Sequence, residues 1–124
     1  MFRAGLRWVA APVTFEAGGV TIYGTYTHPG GAAAGTVPAA VPLGGSGSVT
    51  DRNDNAPGQR DRNLLAAVAG WLSADGVASL RYDKLGSGQT GWGRYAAHPE
   101  QAGLGTYEQA VSYTHLTLPT TPYV

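Results

Sequence analysis

The sequence contains no cysteine. Disulfides and thiolate metal sites are therefore excluded, and a cytosolic setting is expected. Charge is also scarce. Asp, Glu, Lys and Arg make up 13% of the chain, 8 basic residues stand against 8 acidic ones, and the formal net charge is zero. With a pI near 6.8, no long-range field recruits nucleic acid or an anionic membrane, so neither is an expected partner. No apolar run approaches the roughly 20 residues needed to cross a bilayer. The opening MFRAGLRWVAAPV has a short apolar patch interrupted by Arg7 and Trp8, which falls short of a signal-peptide core. Its three histidines, His28, His98 and His115, have no carboxylate at metal-ligand spacing, and no metal site is expected. No GxSxG occurs: Ser46 is followed two residues on by Ser48, and Ser87 is preceded two residues back by Leu85. A nucleophile elbow is therefore missing.

What the chain does hold is glycine and small apolar residues. At 124 residues with 19 glycines, it has the length of one small, turn-rich domain. VTFEAGGVTIYGTYTHP (13–29) alternates on both sides of Gly18-Gly19 and predicts a hairpin. VPAAVPL (37–43) reads as a short buried strand despite its two prolines. GGSGSVTDRNDNAPGQRDR (44–62) is a long polar loop, of a length that usually marks function or disorder. NLLAAVAGWLSADG (63–76) predicts a helix whose stripe is Leu64, Leu65, Val68, Trp71 and Leu72, with Asn63 to cap its start and Gly76 to end it. VASLRYD (77–83) predicts a strand followed by the loop KLGSGQTGWG, and a further helix is expected to begin near Thr106. Strand–helix–strand order implies a parallel pair and a right-handed connection, and hence a mixed sheet.

Two glycine-rich loops invite a chemical reading. The loop after the strand 37–43 has no lysine where a phosphate-binding P-loop needs one. Its small residues suit convergent backbone N–H groups, an anion hole, as well as they suit a plain turn. GSGQTG (86–91) matches GxGxxG, but Asp83, Lys84 and Leu85 stand between it and the strand, and WGRY follows instead of an apolar helix. That context argues against a dinucleotide site. Asp83 and Arg81 at the strand end are expected to orient a loop by hydrogen bonds.

GGSGSVTDRNDN (44–55) and VASLRYDKLGSGQTGWGRY (77–95) together resemble segments of α/β hydrolases, in the serine-esterase branch near dienelactone hydrolases. The opening hairpin is similar to that family's start, and the likeness spans about residues 13–109. It implies an α/β fold: a β-hairpin, then parallel strands with a crossover helix, as the incomplete N-terminal part of an α/β-hydrolase domain over 1–109. It implies acyl transfer on a small-molecule ester or acyl substrate by the full-length parent, without a cofactor. It places Ser46 as a backbone donor to the oxyanion, with Gly45 and Gly47 shaping the loop, and assigns loop-structuring roles to Asp51, Arg52, Asn55, Asp83, Lys84, Gly86 and Gly88. The nucleophile, acid and histidine of that family follow the segment present here. The fragment is therefore expected to be catalytically inert, and marginal as a folded body. Two other classes stay open: a complete, small, glycine-rich binding module, and a nucleotide-binding domain resting on GxGxxG alone.

The last stretch, VSYTHLTLPTTPYV (111–124), has no charge and no helical period. Residues 110–124 resemble the translation of a transposase-tagmentation sequencing adapter. Read as codons, the adapter spells Val-Ser-Tyr-Thr-His-Leu-Thr-Leu-Pro-Thr, matching 111–120, and resumes with Val and a stop at Val124. This tail is expected to be non-native.

Overall fold

A computed structural model describes residues 7–30, 36–44, 50–103 and 107 of the chain. Strands β1 (Trp8–Ala17) and β2 (Val20–Pro29) form the predicted hairpin. Gly18 and Gly19 have φ of 58° and 75°, the left-handed values a two-residue turn needs and glycine adopts without penalty. Pairing runs without a break from Ala17–Val20 to Trp8–Pro29. The hairpin thus reaches back beyond the predicted Val13 to Trp8.

The hairpin feeds a four-stranded mixed sheet of order β1-β2-β4-β3, with β3 at Ala39–Ala40 and β4 at Ala78–Tyr82. β4 lies antiparallel to β2, pairing Gly24 with Tyr82 through Thr27 with Ser79. β3 pairs parallel with β4 over only two positions, Ala39–Ala78 and Ala40–Ser79. This corrects the expected fold. The described residues form a small mixed sheet with one α-helix, α1 (Leu64–Ala74), and not the parallel strands with crossover helices of an α/β hydrolase. The predicted strand 37–43 shrinks to two residues between Pro38 and Pro42. Neither proline can donate to a ladder, and Pro38 contributes only its carbonyl, accepting from Ala78 N–H at 2.9 Å.

The core lies in two apolar clusters on the sheet. One joins Ala17, Val20, Ile22 and Leu85, flanked by Phe15, Tyr82, Trp92, Tyr95 and Tyr107. The other joins Tyr26, Val37, Ala78 and Leu80. Phe15 and Tyr82 meet edge to face at 6.1 Å between ring centroids, a favoured aromatic geometry. Neither cluster includes a side chain of α1.

Helix α1 departs from expectation in its stripe and its cap. Ala69 is its one buried residue, while Leu64 and Trp71 are 49% and 66% exposed. Leu65, Val68 and Leu72 are half-buried beside Ala69, so the predicted stripe is split: two of its five residues, Leu64 and Trp71, face solvent. Asn63 stands at the N-cap in a left-handed conformation, but its side chain does not cap the helix. Gly76, at φ 79°, ends it as predicted. The chain then folds into short 3₁₀ turns at Gly93–Tyr95 and Pro99–Gln101. The helix expected to begin near Thr106 lies outside the described residues, Tyr107 excepted, as does the tail 110–124.

Candidate functional site

Asp83 lies just past the end of β4 and is 2% exposed, and its carboxylate is densely hydrogen-bonded. Its Oδ1 accepts from the Arg52 backbone N–H at 2.7 Å and from Arg52 Nε at 3.1 Å. Its Oδ2 accepts from Arg52 Nη2 at 2.8 Å and from the Gln89 backbone N–H at 2.8 Å. The guanidinium and carboxylate thus form a bidentate fork, the strong form of this pair. Arg52 also donates to Thr25 Oγ1 on β2 at 2.9 Å and to Gln89 Oε1 at 2.5 Å. One carboxylate therefore ties three segments together: the loop 50–55, the turn 84–91 and the sheet. Burial pushes the Asp83 carboxyl up, but the Arg52 side chain, the two backbone N–H donors and the Arg52 charge outweigh it and hold the group below its ordinary range.

The main chain at Asp83 is fixed as well. Its N–H donates to Tyr23 O at 2.8 Å, and its carbonyl accepts from Thr90 Oγ1 at 2.7 Å. Thr90 Oγ1 in turn accepts from Tyr23 N–H at 3.1 Å. Gly88, at φ 47°, brings its backbone against the carboxylate so closely that a Cβ there would overlap both oxygens. Gly86, at φ 89°, lets the turn close, with Gly86 N–H donating to Gly91 O at 2.6 Å. The GxGxxG segment is thus a tight turn around a carboxylate, followed by a 3₁₀ turn.

The loop leading into Arg52 is organised by its own short polar side chains. Asp51 Oδ1 accepts from the N–H groups of Asn53 at 2.8 Å and Asn55 at 3.1 Å, an Asx-type turn. Asn55 Oδ1 accepts from the N–H groups of Arg62 at 3.0 Å and Asn63 at 2.9 Å, and its amide donates to Asn63 Oδ1 at 2.8 Å. That engagement is why Asn63 does not cap α1. Asn53 links the loop to β4, its Oδ1 accepting from Arg81 Nη1.

Arg81 and Asp83 thus both hold loops by hydrogen bonds, as expected of the strand end: Arg81 through Asn53, and Asp83 through Arg52 and Gln89. At 8% exposure, burial and the neighbouring Arg52 charge lower the Arg81 pKa against the opposing pull of Asp51. Lys84 is lowered by burial, opposed by Asp54.

Gly44, Lys84, Asp54 and Thr50 meet at the mouth of the glycine-rich loop. A Cβ on Gly44 would stand 3.3 Å from Thr50 Oγ1, 3.5 Å from Asp54 Oδ1 and 3.5 Å from Lys84 Nζ. A cavity of about 140 Å³ opens beside them, lined by Pro42, Leu43, Gly44, Asp51, Tyr82, Lys84 and Tyr107. The predicted site residues Asp51, Arg52, Asn55, Asp83, Lys84, Gly86 and Gly88 are thus gathered at one end of the sheet. Gly45, Ser46 and Gly47 lie outside the described residues.

Thr25, Asn53, Gln89 and Thr90 share the network and went unnoticed in the sequence. Asn53 and Gln89 lie inside the quoted motifs and were open to notice as polar residues flanking Arg52 and Gly88. Thr25 carries no signal beyond strand alternation. His28 and His98 stand elsewhere: His28 stacks on Tyr26 with centroids 4.3 Å apart, and His98 pairs with Glu100 at 3.0 Å in the open. Among the described residues no cluster of His, Asp or Glu is arranged to hold a metal ion. Compared with known proteins, the chain matches no protein-family model and no curated protein sequence.

Proposed function

We propose that this chain carries the oxyanion-donor loop of a serine hydrolase acting on carboxylic esters or related acyl compounds, and that the nucleophile, acid and histidine belong to sequence beyond it. The observation that supports this reading is the mouth of the glycine-rich segment. Gly44 and Thr50, which flank the five residues containing Ser46, stand side by side. The segment that returns from that loop is fastened through Arg52 to the buried Asp83. A donor to a developing oxyanion works only if it is fixed before charge develops, and Gly44 and the anchored segment 50–55 are the ends from which such a donor would be held. In this reading the Ser46 backbone N–H donates to the tetrahedral intermediate, and Asp51, Arg52, Asn55 and Asp83 act as positioning residues.

The test has two steps. Source DNA is amplified and sequenced past the Gln109 codon; the reading expects an open frame containing GxSxG, then an acid, then a histidine. In that longer protein, Ser46→Pro removes the N–H and is expected to lower kcat by about 10²–10³ with little change in KM. Genomic DNA that itself encodes VSYTHLTLPTTPYV and a stop overturns the proposal and favours a complete binding module. Steady ester turnover by the purified 124-residue chain would also contradict it, since the chain has no GxSxG.

A further inference from the structure

A separate cavity, of about 320 Å³, is lined by Thr50, Asp54, Ala56, Gln59, Arg60, Arg62 and Leu64. We propose that it is a binding site for a small oxyanionic group, a phosphate or a carboxylate, held by Arg60 and Arg62. This assignment is independent of the hydrolase reading.

The argument starts from alternation in the segment before α1. Arg60 and Arg62 line this cavity, whereas Asp61 between them lines a different one with Asp51, Asn55 and Gly88. The segment thus sorts its charges, presenting two cations on one side and the anion on the other. It is also fixed in place, because Asn55 Oδ1 accepts from the N–H groups of both Arg62 and Asn63.

The lining offers donors. Neither arginine side chain has a hydrogen-bond or ion-pair partner among the described residues. Thr50 Oγ1 is buried and has no hydrogen-bond partner among the described residues, and Gln59 adds an amide. The one carboxylate in the lining, Asp54, is turned towards Lys84: its Oδ1 and Lys84 Nζ both approach Gly44, and its charge opposes the lowering of the Lys84 pKa by burial. The first turn of α1, which begins at the cavity wall with Leu64, carries no acidic side chain to compete with an anion. Paired guanidinium forks recognise phosphate and carboxylate oxygens alike.

The experiment is an NMR titration of the ¹⁵N-labelled 124-residue chain with inorganic phosphate and, separately, with acetate, against sodium chloride at matched ionic strength. The expected result is saturable movement of the amides of 59–66 that chloride does not reproduce. Half-saturation should rise about tenfold in Arg60→Ala/Arg62→Ala, as expected for loss of charge-assisted bonds, and stay unchanged in Arg94→Ala. Arg60→Lys/Arg62→Lys preserves charge and fold and should bind more weakly than the parent but more tightly than the double alanine variant. Saturation by phosphate alone identifies a phosphate site, and saturation by acetate alone a carboxylate site. A linear response, an equal response to chloride, or affinity indifferent to the double alanine variant overturns the proposal. So does a spectrum without amide dispersion, because the fold is what assembles the site.

Discussion

The turn around Asp83 and the helix α1 lie on the same small sheet and are built on opposite terms. At Asp83 a buried carboxylate accepts four hydrogen bonds, three from Arg52 and one from Gln89. In α1 no residue is charged, one is buried, and Trp71 stands 66% in solvent. A helix apolar on every side is ordinarily surrounded; this one is covered on one side only. The polar turn therefore carries the local order that apolar packing carries elsewhere. The cost of breaking it is high, because removing one partner strands the other as a buried charge.

That contrast orders the expected effects of substitution. The largest belongs to Arg52→Ala, which leaves Asp83 buried and unpaired and is expected to cost about 3–5 kcal/mol, read from urea unfolding. Asp83→Asn should fall in the same range, and the double variant should cost less than the two singles summed, since both act on one interaction. Equal and additive small effects would dissolve the contrast.

Gly88→Ala comes next. Its φ of 47° and the carboxylate in the place of a Cβ predict a loss of at least the roughly 1–3 kcal/mol of a strained backbone position, with a shift in the Gln89 amide resonance.

Acid should act through the same carboxylate. Asp83 titrates below its unfolded value, so between the two values the unfolded chain binds the proton more readily and stability rises with pH. Its contribution is complete above about pH 4, the ordinary aspartate value, and is lost as pH falls through the depressed folded value. The slope is at most about 1.4 kcal/mol per pH unit for one proton, and Asp83→Asn should flatten it. The smallest effect belongs to Trp71→Ala, expected within about 0.5 kcal/mol for an exposed position in dilute solution.

The same contrast marks what could be read from the sequence. Gly18-Gly19 announces the hairpin because only one turn geometry suits both strands, and Gly76 announces the end of α1. The gathering of Asp51, Arg52, Asn55 and Asp83 at one sheet end was legible as motif proximity, but the pairing was not. Arg81 is two residues from Asp83 and Arg52 is thirty-one, yet strand geometry leaves Arg81 reaching Asn53. Helical spacing groups Leu64, Leu65, Val68, Trp71 and Leu72 correctly on adjoining turns, but spacing cannot show whether anything covers them. The apolar run 37–43 suggests a longer strand than the two missing proline donors allow. Its shortening leaves the parallel part of the mixed sheet only two residue pairs long, where a longer parallel ladder was expected.

The most direct measurement is amide hydrogen exchange across residues 50–91 in the parent chain, Asp83→Asn and Trp71→Ala, under identical conditions. The account predicts that Asp83→Asn strips protection from the amides of Arg52 and Gln89 and from the loop 50–55, while Trp71→Ala leaves them as they were. Protection lost in Trp71→Ala and retained in Asp83→Asn would mean that the helix, and not the carboxylate, holds the loop.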